Sequence, residues 1–355
     1  MFQCKPDSNS GRNTDTVKTA GKEMSIEKKD ELTVIGVGDI MMGTNYPSPG
    51  SLPPDDGKYL FDDVKEILSD ADITCGNLEG TLLDRGGTPK KCRDSSGNCY
   101  SFRMPVRYAE YLKDAGFDFM NLANNHGGDM GIEGRKSTYE TLEKNEIEYA
   151  GTLDYPTTVL EKDGIKYGFA GFAPNNGTNS INNLKKAGQI ISELKEQADI
   201  VIVFFHGGAE GTSAQHVGGY SETFLGENRG NVREFAHAVI DAGADVVFGS
   251  GPHVTRAIEL YSSRFIAYSL GNFCTYDKFD LRGVTGLSPI IKIFINRKGE
   301  FVKGEITAVK QIKRGIPVID ENKSIIKIIQ NLTKEDFPES RLMIDNDGKI
   351  EKEHN

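Results

Sequence analysis

Phe119-Met120-Asn121-Leu122-Ala123-Asn124-Asn125-His126 is an apolar run that ends in two amides and an imidazole. Such a run reads as a strand, so Asn125 and His126 arrive together at one sheet edge. An amide oxygen beside an imidazole suits metal binding and proton transfer. The pattern recurs in Val37-Gly38-Asp39, Gly76-Asn77-Leu78-Glu79, Phe204-Phe205-His206 and Gly251-Pro252-His253. Each places a polar group after its own apolar segment, and in α/β sheets the carboxyl ends of strands point into a shared crevice.

Working outward, β-branched and aromatic runs over 33–37, 72–75, 117–122, 167–172, 200–205, 245–248 and 265–270 predict strands. Helical spacing over 61–68, 106–115, 132–145, 184–198 and 232–242 predicts the helices between them, several stopping at a glycine such as Gly116 or Gly243. This is the rhythm of an α/β protein. After Gly283 the pattern changes to a β-hairpin over 288–295 and 300–310, turned at Asn296-Arg297-Lys298-Gly299, then an exposed helix over 320–332 and a charged, loose tail. The expected organisation is a polar leader over 1–31, a main domain over 32–318, and a C-terminal helix and tail over 319–355.

The 355 residues can bury a substantial core. Forty-two basic against fifty-two acidic residues leave a formal charge of −10, which opposes sequence-independent binding to nucleic acid. No run approaches the roughly 20 apolar residues that span a bilayer, and no basic and apolar signal regions open the chain. The leader is too polar to repay the entropy of ordering. Cys4 at its head, followed by a polar tether, has the look of a lipoprotein start, although no apolar region precedes it; a stray cysteine is the plainer reading. Cys92 and Cys99 bracket a polar turn and read as a disulfide-bonded loop, as free thiols, or as half of a zinc site. The disulfide reading, with Cys4, places the protein at the cell envelope. Cys75 and Cys274 lie in apolar runs and read as core.

Asp39, Glu79, Asn125, His206 and His253 form the candidate metal set, a carboxylate, amide and imidazole mixture suited to one or two ions of Mn, Fe or Zn. Each has a plainer role open to it: Asp39 as a turn cap, Glu79 as a surface carboxylate, Asn125 as a turn residue. His126 is the candidate general acid. Arg103, Glu210, His216 and Asn272 are the candidate substrate-binding residues. Arg103 is fit to grip a carboxylate or phosphate or to sit on the surface, and Glu210 and His216 lie in a glycine-rich loop as reserve ligands. His237 and His354 read as structural or solvated.

Gly38-Asp39-Ile40-Met41-Met42-Gly43, Asn77-Leu78-Glu79-Gly80, the Asn121 to His126 run, His206-Gly207-Gly208-Ala209-Glu210, Pro252-His253-Val254 and Tyr268-Ser269-Leu270-Gly271-Asn272-Phe273 together resemble the CapA family of capsule poly-γ-glutamate synthesis proteins, related to calcineurin-like metallophosphoesterases. The resemblance implies a four-layer α/β/β/α metallophosphoesterase-like sandwich with a metal centre at its strand ends. It matches Asp39, Asn125, His206 and His253 to metal ligands, His126 to the catalytic histidine, and Glu79 to the neighbourhood of a bridging carboxylate. Two positions depart from the phosphoesterase pattern: Met41 and Gly251 stand where that pattern has histidine. A weakened ion pair, a single ion and an ion-free binding crevice are therefore all open. The expected function is a metal-dependent hydrolase of the envelope, acting on a phosphoester or anionic polymer linkage in capsule or poly-γ-glutamate production or export. Its expected partners are the membrane proteins of capsule synthesis, with contact to the membrane only through a lipid on Cys4. The alternative is a non-catalytic binder of polyglutamate or another envelope polymer.

Overall fold

The computed structural model describes residue 1, residues 29–91 and residues 100–353; the readings of Cys4, Cys92, Cys99 and His354 fall outside them. Six strands position the candidate site: β1 (Glu31–Met41), β2 (Ile73–Leu78), β3 (Phe119–Asn121), β4 (Ile200–His206), β5 (Val246–Ser250) and β6 (Asn272–Thr275). They belong to two sheets. In the first, β1, β2 and β3 run parallel in that order, and β6 joins the far end of β1, also parallel. The predicted hairpin, seen as Leu287–Asn296 and Phe301–Ile312, extends this sheet antiparallel to the first half of β1. In the second sheet β4 lies parallel between Ile165–Phe172 and β5.

Three apolar clusters make the layers. Alternation along β1 sends Leu32 and Val34 one way and Ile35 and Val37 the other. The first pair joins Phe119, Phe169, Phe204, Phe248 and Ile291 between the sheets. The rings of Phe119 and Phe169 stack across this gap with centroids 4.5 Å apart. Ile35 and Val37 instead meet Tyr108, Leu112 and Leu142 from helices Tyr108–Asp114 and Gly131–Lys144. On the outer face of the second sheet, Val203 and Val247 pack on Ile191 and Phe235 from helices Leu184–Lys195 and Val232–Asp241. The last two begin at Asn183 and Asn231, whose side chains accept hydrogen bonds from Lys186 N and Glu234 N. Helix, sheet, sheet, helix is thus the observed order, as expected.

The chain end differs from its reading as an exposed helix and a loose tail. Helix Ser324–Asp336 puts Ile325, Ile326 and Ile329 into the gap between the sheets. Strands Leu342–Ile344 and Lys349–Lys352 then form a hairpin that pairs with Phe301–Ile312, burying Ile350 completely. The apolar residues there are a run of three, Leu342-Met343-Ile344, and the single Ile350 among charges, too few to outweigh the composition in a sequence reading.

Candidate metal centre

β1 delivers Asp39 through an irregularity. Its pairing with β2 shifts register between Gly36 and Asp39, and Asp39 N donates to Gly271 O at 2.9 Å. A Cβ on Gly38 would lie 1.9 Å from that same carbonyl, so only glycine lets the two segments approach. Asp39 is fully buried. Its Oδ1 accepts from Asn77 Nδ2 at 2.8 Å, and its Oδ2 lies 3.0 Å from His253 Nδ1. Burial opposes its charge, but the neighbouring imidazoles of His206 and His253 outweigh that and hold its pKa below the ordinary value.

Glu79 follows β2 and is also fully buried, with neither carboxylate oxygen hydrogen-bonded. Burial, reinforced by the Asp39 carboxylate, pushes its pKa well up. His206 ends β4, completely buried, its Nδ1 3.1 Å from Ser250 Oγ on β5 and 3.2 Å from Asn77 Nδ2. Because Ser250 Oγ donates to Phe205 O, it can accept the Nδ1 proton, which leaves Nε2 bare; that Nε2 is buried without a partner. Burial lowers the His206 pKa to about 4, so the ring is neutral.

His253 lies beyond β5 with a φ of 57°, a left-handed conformation costing roughly 1–3 kcal/mol for a residue with a side chain. Its Nδ1 sits between Asp39 Oδ2 and Asn272 Oδ1, the latter at 3.1 Å, and Asn272 Nδ2 donates back to His253 O at 3.2 Å. Asn272 opens β6 directly beside Asp39, so the amide clamps the imidazole onto the carboxylate. His253 Nε2 faces Glu79 Oε1 and Glu210 Oε2, each at 3.9 Å. Burial works against its protonation, but Glu79, Asp39 and Glu210 raise its pKa to about 10.

Ligand atoms of Asp39, Glu79 and His253 all fall within 4.8 Å of one another. Also buried without a partner are His206 Nε2, on a ring whose Nδ1 lies 3.7 Å from Asp39 Oδ1, and Asn125 Oδ1, in the residue before His126. Orphaned buried acceptors are rare in folded proteins, and here they are one imidazole nitrogen, both oxygens of one carboxylate and an amide oxygen, which with Asp39 and His253 give a mixed carboxylate, imidazole and amide set. That donor set fits a borderline divalent ion, whose charge would offset the buried carboxylates.

His126 follows Asn125, stacked on Phe102 with ring centroids 4.2 Å apart. Its Nδ1 lies 2.6 Å from Asp129 Oδ2, and its Nε2 lies 3.8 Å from Glu79 Oε1. Lys90 Nζ pairs with Asp129 Oδ1 at 2.7 Å. Asp129 thus holds the Nδ1 proton and aims Nε2 at the cluster. Burial lowers the His126 pKa, so a proton carried there is readily surrendered.

The remaining candidates are placed differently. Glu210 borders the cluster beside His253. Arg103 hydrogen-bonds Asn45 Oδ1 at 2.6 Å and Gly86 O at 2.7 Å, and lies over the Tyr46 ring. His216 is exposed and paired with Asp336 at 2.7 Å, which does not bring it to the others. His237 pairs with Glu259 at 2.9 Å. Asn77, Asp129 and Ser250 were missed by the sequence reading. A polar side chain inside an otherwise apolar strand, as at Asn77, is the signal that marked the first of them. Of the two departures, Met41 is buried in the core beneath the first helical layer. Gly251 has a φ of 113°, and a Cβ there would meet Gly207 N and O at 2.8 and 2.9 Å.

Among the described residues no helix is long and apolar enough to cross a membrane. The capsule biosynthesis protein CapA of Bacillus anthracis is 27% identical over 350 residues, covering 91% of this chain and 78% of that protein. The PGA biosynthesis protein CapA of Bacillus subtilis is 29% identical over 261 residues, covering 69% of this chain and 63% of that one. Among solved structures, a 5'-nucleotidase precursor from Thermus thermophilus is similar at 12% identity and a TM-score of 0.42, covering 78% of this chain and 54% of its own. The family model described as bacterial capsule synthesis protein PGA_cap matches residues 33–277, a span that contains every residue of the cluster, and the chain belongs to that family.

Proposed function

We propose that this protein is a metal-dependent hydrolase of the cell envelope, acting on a phosphoester or anionic polymer linkage in capsule or poly-γ-glutamate biosynthesis or export alongside membrane proteins of that process. The observation that carries this reading is the grouping of Asp39, Glu79 and His253 ligand atoms within 4.8 Å, with both Glu79 oxygens, His206 Nε2 and Asn125 Oδ1 buried and unpartnered. Asp39, Glu79, Asn125, His206 and His253 would hold a divalent ion of Mn, Fe or Zn. When bound, such an ion lowers the pKa of water toward about 7 and polarises the bond to be broken.

The chain's own residues supply the rest. Ser250 fixes the His206 tautomer, and Asp39 with Asn272 fixes that of His253. Asp129, ion-paired with Lys90, holds the Nδ1 proton of His126 and aims Nε2 at the cluster, and the imidazolium form of the ring, which carries a second proton on Nε2, passes that proton to the leaving oxygen. Phe102 covers the other face of that ring and keeps water from it. The expected result of His126→Ala is a loss of roughly 10²–10⁴ in kcat with unchanged metal content, measured against phosphodiester and γ-glutamyl substrates. Activity equal to wild type contradicts the role.

Met41 and Gly251 favour a second reading, in which the crevice binds an envelope polymer without cleaving it. Saturable polyglutamate binding by protein that takes up no metal would select it.

A further inference from the structure

Gly251 stands where the phosphoesterase pattern has histidine, and its surroundings explain more than a lost ligand. Arg229 is 1% exposed. Its Nε donates to Gly208 O at 3.0 Å, and Nη1 lies 3.4 Å from Glu227 Oε2. Nη2 is buried, makes no hydrogen bond, and lies 3.4 Å from Glu210 Oε1. A Cβ on Gly251 would approach that same Nη2 to 3.3 Å. The guanidinium therefore occupies the space that a side chain at 251 would enter, between the segments carrying His206 and His253. Glu210 links it to the cluster, since its other oxygen lies 3.9 Å from His253 Nε2.

A guanidinium is always charged and matches the oxygens of phosphate or carboxylate. Its Nη2 makes no hydrogen bond and has only the longer Glu210 contact; a buried N–H left without a hydrogen bond is costly, so the position favours a better-placed oxygen acceptor. We propose that Arg229 is the oxyanion-binding residue of this crevice, its Nη2 receiving a phosphate or carboxylate oxygen of the substrate as a fixed cation beside a single metal position. Glu210 competes for that guanidinium and is displaced when the substrate oxyanion enters. The assignment shares the crevice of the proposed hydrolase but does not require an ion to be bound.

The test is calorimetric titration of the full chain with inorganic phosphate and, separately, γ-glutamylglutamate, in chelated and in Mn²⁺-loaded protein. Wild type is expected to bind at least one of the two, and the tighter one identifies the substrate's anionic group. Arg229→Gln is expected to weaken that binding tenfold or more, and Arg229→Lys to restore part of it. Glu210→Gln, at a partly exposed position, is expected to tighten it several-fold, and adding Arg229→Gln should abolish that gain. Equal affinity in wild type and Arg229→Gln, no gain in Glu210→Gln, or no binding of either probe by wild type overturns the assignment. Failure to take up metal would count against the hydrolase alone, because the chelated arm reports on Arg229 independently.

Discussion

Asn77 shows how one residue organises a site without serving as a ligand. Its Nδ2 donates to Asp39 Oδ1, while its Oδ1 accepts from Asn121 Nδ2 at 2.8 Å and Asn124 Nδ2 at 3.1 Å. One amide thereby ties β1, β2 and the Asn-Asn-His segment together. Asn77→Ala would strand several buried polar groups, and roughly 1–3 kcal/mol attaches to each one left unsatisfied. We expect a loss of about 2–4 kcal/mol in urea unfolding and weakened metal uptake; a change under about 0.5 kcal/mol would refute the network. The residues at strand ends were legible in the sequence because an apolar run stopping at Asp, Asn or His is conspicuous. Asn77, Asp129 and Arg229 were not, since their roles come from partners brought together by the fold from distant segments.

At the scale of elements, the alignment of β1 with β2 decides whether Asp39 and Glu79 meet. That alignment is pinned at its other end by Asp72, whose Oδ2 accepts from Thr33 N at 2.8 Å and Thr33 Oγ1 at 2.9 Å, while Asp72 N donates to Thr33 Oγ1 at 2.8 Å. Burial works against the Asp72 charge, but Lys29 and Thr33 hold its pKa below normal. A carboxylate with a depressed folded pKa contributes stability that is present above its unfolded pKa, about 3.9, and lost as pH falls through the folded value. Asp72→Asn should therefore cost about 1–2 kcal/mol at pH 7, and the difference from wild type should vanish at pH values below the folded pKa. A pH-independent difference in denaturant titrations would rule this out. The βαβ alternation and the hairpin after Gly283 could be read from periodicity. The terminal hairpin around Ile350 could not, because its pairing partner, Phe301–Ile312, supplies most of the burial that makes it a strand.

For the molecule as a whole, the cluster exists only where the two sheets meet. Asp39, Glu79, Asn125 and His126 come from the first sheet and His206 and His253 from the second, held in register by a gap filled with Phe119, Phe169, Phe204 and Phe248. A four-layer order was predictable from motifs shared with a family, but the distances that bring Asp39, Glu79 and His253 within 4.8 Å of one another are a property of this packing. Metal uptake is accordingly the most direct test of the account, by elemental analysis of protein purified without chelators, comparing wild type with His206→Ala and His253→Ala. The account predicts about one equivalent of Mn, Fe or Zn in wild type and its loss in both variants, one from each side of the crevice. No metal in wild type after reconstitution, or full retention in either variant, would contradict it.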